Sequence, residues 1–301
     1  MTAPAPLCGF LNVLKPPGMT SAHVVAVVRR LLGGAKVGHA GTLDPEAAGV
    51  LPLMIGKAAR LFDVMQDKEK AYVTEVAFGA ATDTQDAQGR VTQTGDAYPD
   101  EAAVRAALGA FSGTIWQTPP MFSALKQDGK RLYELARGGK QADVAAREVT
   151  VHELSLRGLT PAHGALLYVR CSKGFYVRTL CHDLGAHLGC PAHMRFLLRT
   201  QSGPFTLETA RTLESIVQAA QAGTLPALLL PPEAALAHLR IIDVPQGLEN
   251  AVRNGGRLSW KRFAPALPGE DGPFGLRMEG ALCAIARRDG ERVRLTAWLG
   301  E

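Results

Sequence analysis

The chain has 301 residues, 47% of them hydrophobic and 20% charged, which excludes a disordered or fibrous chain and leaves room for a large domain plus a small one. The formal net charge of +5 is too mild by itself to argue for a nucleic-acid partner. Five cysteines, Cys8, Cys171, Cys181, Cys190 and Cys283, form no C-x-x-C pair, so reduced thiols are expected in place of a disulfide framework or a four-thiolate zinc site. Met1 to Phe10 lacks the basic flank and apolar run of a secretory leader. No apolar stretch approaches the roughly 20 residues of a membrane span, and a cytoplasmic location is expected.

In chain order, Thr20 and Ser21 offer caps to a helix whose Val24, Val27, Val28, Leu31 and Leu32 recur at helical spacing, ending at Gly33-Gly34. Tyr72 to Phe78 alternates and reads as a strand, as do Val149 to Leu156 and Ala165 to Cys171. Helices are expected from Pro99-Asp100-Glu101 toward Phe111, over Lys130 to Arg137, and through Val177, Leu180, Leu184 and Leu188. A charge-free Leu/Ala/Pro run at Leu225 to Pro232 suggests a boundary near residue 235. Beyond it, Ala281 to Ala286 and Val293 to Leu299 flank Arg288-Asp289-Gly290-Glu291 as a hairpin, suggesting a small β-rich module. The fold class is mixed α/β.

Charge is sorted along the chain. His23 to Arg60 holds five basic residues against two acids, and Tyr168 to Thr200 holds Arg170, Lys173, Arg178, Arg195 and Arg199 against Asp183. Leu61 to Pro119 runs the other way, nine acids against four bases. If the two basic segments meet, they form a face that could track phosphates; the alternative is ordinary solvated surface.

The most unusual stretch runs from Gly38 to Pro52, GHAGTLDPEAAGVLP, where one carboxylate, Asp44, stands between apolar neighbours. Asp44 before Pro45 would make a good N-cap, with Glu46 in the first turn and Pro52 ending it; the other reading is catalytic. The stretch resembles the signature loop of the bacterial tRNA pseudouridine-55 synthases. The resemblance extends to Asn12 to Ser21, Lys70-Ala71-Tyr72, Pro119 to Lys126, Gly129 to Arg137 and Ser172 to Leu180, all in family order. Glu46 and Ala48 depart from the family, which has Leu and Thr there.

The resemblance implies a pseudouridine synthase fold, a central mixed and mostly antiparallel sheet flanked by helices, over residues 1–235. It implies a PUA-like RNA-binding module over 236–301, a weaker match. The implied activity is isomerisation of a T-loop uridine in tRNA, at position 55, to pseudouridine. Asp44 matches the family's aspartate, acting either as a nucleophile at C1′ or C6 or as a base leading to a glycal. Arg178 matches the arginine that pairs with it and keeps it ionised; on its own it would be a solvated helix residue. Tyr72 matches the tyrosine that stacks on the base, and Tyr176 and Leu197 the lining of the uracil pocket. Without the family, Tyr72 on its strand and Leu197, read as helical, are ordinary core. His39 matches a histidine near the flipped nucleotide, and Lys15 a lysine near the active site. Met121 to Lys140, with five bases against Asp128 and Glu134, resembles the family's RNA-gripping insertion.

His182, His187, Cys190 and His193 invite a metal reading, but His182 and His187 are five apart on a helix and miss the i, i+4 spacing. The isomerisation conserves every atom and oxidation state, so no cofactor and no metal are expected. Its target must be extruded from a stack, which favours a loop of tRNA as partner. A monomer without an obligate protein partner or membrane contact is expected. The competing classes are an RNA-folding helper, which would survive loss of Asp44, and a glycoside hydrolase, for which no second carboxylate stands in the matching blocks.

Overall fold

The computed structural model describes residues 7–65, 69–123, 125–127, 130–132, 143–161, 163–268 and 272–300. The chain opens with β1 (Gly9–Lys15), α1 (Ser21–Leu31), β2 (Val37–His39) and β3 (Ala48–Ile55). Its middle contains β4 (Lys70–Phe78), β5 (Gly113–Gln117), β6 (Arg147–Thr160), β7 (Gly164–Cys171), α2 (Val177–His187) and β8 (Ala192–Ser202). Its end contains β9 (Ile241–Asp243), β10 (Leu258–Ser259), β11 (Pro273–Met278), β12 (Ala281–Asp289) and β13 (Arg292–Trp298). These elements sort into two compact units that interleave in sequence. The first comprises the described residues of Met1–Pro45, Val50–Asp67 and Gly203–Glu301; the second, those of Glu46–Gly49 and Lys68–Ser202.

In the first unit β1 is buried along nearly its whole length because it has partners on both sides. It lies beside β3, and its other edge bonds the Arg211 and Leu230 segments. Such doubly covered strands read as continuous apolar runs, here GFLNVLK and AGVLPLMI. Helix α1 is capped by Thr20, whose hydroxyl accepts the His23 N–H at 3.0 Å, and buries Val24 and Val28, each contributing roughly 1.5–3 kcal/mol. It ends as expected, with Gly33 and Gly34 at positive φ closing onto Arg30 and Arg29.

The first unit also contains the five-stranded sheet β9-β11-β12-β13-β10, parallel only between β9 and β11. One of its faces encloses a core of its own around Trp260, Phe263, Phe274 and Leu276. Leu282, Ile285, Ala297 and Leu299 instead join the core formed by Phe10, Met54, Leu61, Met65 and Phe205. The expected hairpin is therefore present, and it is welded to the front of the chain. Glu233 accepts the Leu282 N–H, Arg60 donates to the Trp298 carbonyl and Lys57 to that of Gly300.

The second unit is built on the antiparallel sheet β8-β4-β7-β6-β5, to which Ala48 and Gly49 add parallel pairing with Leu198 and Arg199. Gly49 sits at φ +117°, and a Cβ there would lie 2.2 Å from the Arg199 carbonyl oxygen, so that contact requires glycine. The three expected strands and the Glu101–Ala107 helix are present. Two expectations change. Leu197 lies on β8, not on a helix. Lys130 and Arg131 pair with Lys126 and Gln127 as a short hairpin, and the remainder of the expected Lys130 to Arg137 helix falls outside the described residues apart from Leu132.

Candidate active site

Asp44 lies on the connection between β2 and β3. Its entrance is closed by the ladder, His39 opposite Leu53, and by the Ala40 N–H donating to the Pro52 carbonyl at 3.0 Å. Pro52, which has no N–H to give, contributes only its acceptor. Leu43 is buried, and both its backbone polar groups are met by one hydroxyl. Its N–H donates to Ser21 Oγ at 2.9 Å, and Ser21 Oγ donates to its carbonyl at 3.1 Å. On the other side of Asp44, the fully buried Lys15 Nζ donates to the Pro45 carbonyl at 2.7 Å and to that of Pro16 at 2.8 Å. Both neighbours of Asp44 are thus tied down by side chains from elsewhere in the fold, which aims the half-buried carboxylate between them. No helix follows Asp44: Pro45 and Glu46 form a turn and β3 begins at Ala48. The N-cap alternative is therefore removed.

In the second unit, Tyr72 on β4 is 7% exposed and stands opposite Arg199 of β8, while Leu197, also 7% exposed, stands opposite Thr74. Directly paired residues share a face, so these four side chains lie on one side of the sheet. Helix α2 covers that side, since Thr74 Oγ1 lies 3.8 Å from Cys181 Sγ. Arg178, on the same helix, is buried and not solvated: it donates to the Thr84 and Phe122 carbonyls at 3.2 and 2.9 Å and lies 3.7 Å from Asp86 Oδ2. Three polar partners offset the cost of removing a guanidinium from water. Tyr176 is the residue before α2. The buried Gln117 side chain accepts its N–H at 2.7 Å and donates to its carbonyl at 3.0 Å, and the Arg147 guanidinium lies 5.0 Å from its ring centre. The Lys70 ammonium is held below the usual lysine pKa, first by burial and then by repulsion from Arg199.

The expected phosphate-tracking face over Tyr168 to Thr200 is not built as read. Arg170 donates to Glu69 at 2.7 Å and lies 3.9 Å from Glu153, Arg195 donates to Glu75 at 2.9 Å, and Arg178 and Arg199 are buried. Lys173 of that set is exposed. Sequence reasoning also passed over Ser21, taken as a cap, and Gln117, which lies in no motif. Burial pushes the Cys171 and Cys181 thiols up to about 12, so neither is a ready nucleophile. Among the described residues no three His, Cys, Asp or Glu side chains gather as a metal site. His193 Nδ1 lies 2.7 Å from the Ala80 carbonyl, and His187 packs edge-on to Phe111.

A family model described as TruB family pseudouridylate synthase (N terminal domain) matches residues 29–177, and one described as tRNA pseudouridylate synthase B C-terminal domain matches residues 178–237. Among curated relatives, the chain is 46% identical over 286 residues to tRNA pseudouridine synthase B of Moorella thermoacetica, covering 93% of each chain. It is 51% identical over 239 residues to the protein of that name from Symbiobacterium thermophilum, covering 78% of each. Among solved structures it is similar to a chain of the crystal structure of a Cbf5-Nop10-Gar1 complex, with a TM-score of 0.72 at 26% identity, over 97% of this chain and 87% of that one.

Proposed function

This chain belongs to the TruB family of pseudouridylate synthases, and from that premise we propose that it converts the T-loop uridine at tRNA position 55 to pseudouridine with Asp44 as the essential carboxylate. It is a pseudouridine synthase with the mixed α/β fold of that family. The observation that carries the assignment to Asp44 is the double tether: Ser21 on Leu43 and Lys15 on Pro45. A carboxylate that must meet one sugar carbon or one ring carbon gains rate from being aimed before substrate arrives.

The reaction breaks the C1′–N1 bond, turns the uracil, and forms a C1′–C5 bond; the C5 proton leaves and N1 ends protonated. Nothing is oxidised or reduced. Asp44 serves the C1′–N1 cleavage, and Arg178 keeps it ionised. Tyr72 stacks on the extruded base, Tyr176 and Leu197 line the uracil pocket, and His39 contacts the RNA beside the flipped nucleotide. Lys15 acts by positioning the loop. Residues 1–235 form the catalytic domain and 236–301 a PUA-like RNA-binding module, a reading supported by the separate core around Trp260 and by a family match ending at residue 237. The enzyme works as a cytoplasmic monomer on tRNA.

The test is to incubate the protein with an unmodified tRNA transcript and map pseudouridine at single-nucleotide resolution. Product is expected at position 55 alone. Asp44→Asn is expected to abolish it while leaving tRNA binding within about tenfold, because the phosphate contacts stay. Turnover by a clean Asp44→Asn preparation would end the catalytic assignment.

A further inference from the structure

The basic segment His23 to Arg60 differs from the later one in how its charges are used. Lys57 and Arg60 are engaged by the Gly300 and Trp298 carbonyls. Arg29, Arg30 and Lys36 are exposed, and among the described residues no carboxylate or carbonyl holds their side chains. Two arginines in the last turn of a helix would ordinarily answer the helix dipole. That account does not cover Lys36, which lies beyond the helix and next in sequence to Val37, or the shape of the surface that the two arginines line.

That surface is an open groove of about 640 Å³ on the outer side of α1. Ala22, Val25 and Ala26 of the helix and Val37 of β2 make its apolar floor, and Arg29 and Arg30 stand on its edge. Small side chains leave room along the floor. Gly33 and Gly34 close the groove at positive φ, their N–H groups turned back onto Arg30 and Arg29, and nothing lies within 4 Å of where a Cβ would stand, so the groove is open to approach there. Position matters as much as chemistry. Val37 and His39 are two residues apart on one strand, roughly 7 Å at the usual strand rise, and the chain runs directly on to Asp44. At the other end of α1, Ser21 holds Leu43. The groove therefore lies on the elements, α1 and β2, that lead into and hold the loop presenting the carboxylate.

We infer that this groove is a docking site for the sugar-phosphate backbone of the RNA arm flanking the target nucleotide, with Arg29, Arg30 and Lys36 on phosphates and ribose faces against Ala22, Val25 and Ala26. The inference rests on the proposed tRNA activity and adds the surface that sets the arm's register over Asp44. Free cations around an apolar trough suit a polyanion with apolar sugar edges, and phosphate contacts position without reading sequence.

The experiment uses the full chain, an unmodified tRNA transcript and a short T-arm stem-loop. Binding is read by fluorescence anisotropy over a salt series, and turnover separately. The triple variant Arg29→Ala, Arg30→Ala, Lys36→Ala is expected to raise Kd and KM for both RNAs about tenfold or more. It should lower the salt slope by about 2 to 3, at roughly 0.7–0.9 per phosphate contact, with kcat at saturation within about twofold. Ala26→Glu, at an exposed position of the floor, should weaken binding through repulsion, whereas Arg29→Lys with Arg30→Lys should keep the slope. Unchanged affinity and slope in both the triple variant and Ala26→Glu would overturn the inference. So would a wild-type dimer that the triple variant dissolves, since the groove would then receive a second copy. A wild type that binds RNA with the expected slope but makes no pseudouridine would refute the proposed function and leave the groove standing.

Discussion

Replacing Ser21 by alanine tests how the fold aims Asp44. One hydroxyl serves both the Leu43 N–H and the Leu43 carbonyl, at 2.9 and 3.1 Å, in a site where Ser21 is 2% and Leu43 3% exposed. Alanine fits the same space but leaves two backbone groups without that partner. At about 1–2 kcal/mol for each buried unmet group, the folded state loses roughly 2–4 kcal/mol. For a chain of this length, that lowers Tm by about 3–6 °C. The helix keeps its cap, because Thr20 and not Ser21 receives the His23 N–H. The loop can then shift on the Leu43 side while Lys15 still holds Pro45. A displacement on the order of 1 Å of a reacting group costs about a hundredfold in rate, so kcat should fall about that much with KM within about threefold. Single-turnover kinetics on an unmodified tRNA transcript, with a thermal melt of the same preparation, read both effects. A lowered Tm with wild-type kcat would show that the tether supports the fold but does not aim the carboxylate.

Three further outcomes follow from the same structure. Deleting residues 241–301 removes Leu282, Ile285, Ala297 and Leu299 from the core around Phe10, Met54 and Phe205; at roughly 1.5–3 kcal/mol for each large side chain, the loss approaches the whole stability of a typical domain. The truncated chain is expected to be insoluble or to lack a cooperative melt, and a soluble, cooperatively melting 1–240 fragment would refute this. Cys171 and Cys181 keep their protons in the folded state up to about 12 but lose them near 9.0 when unfolded, so the contribution they make is intact below pH 9 and fades as pH rises through that window. Urea melts should show stability falling from pH 9 to 11 less steeply in a Cys171→Ala, Cys181→Ala double variant. Exhaustive chelation without added nucleotide or nicotinamide should leave full activity, because the isomerisation is redox-neutral and needs no Lewis acid; loss restored by zinc would bring back His182, His187, Cys190 and His193 as a site.

What the sequence determined by itself is what short-range physics writes into short segments. The 3.6-residue spacing of α1 and α2, the cap at Thr20, the helix start at Pro99-Asp100-Glu101, the glycine stop after Leu32 and the alternation of β4 all appear in the structure as read. The blocks from Asn12 to Leu180 likewise carry the family, because they are written in residue identities. Tertiary structure decided what local chemistry leaves ambiguous. Asp-Pro-Glu is a sound helix start, yet the apolar run AGVLPLMI behind it gains more by pairing between β1 and β2 than by coiling. Strand β8 shows no alternation because register shifts after Met194 and after Arg199 break the two-residue period, which is why Leu197 read as helical. Charge is the least legible from sequence. Arg178, Arg199 and Lys15 are written like surface cations and lie buried, whereas Arg29, Arg30 and Lys36 remain in water. Burial of a cation depends on carbonyls and carboxylates delivered from distant segments, such as Pro45 for Lys15 and Phe122 for Arg178, and only the folded chain brings those together.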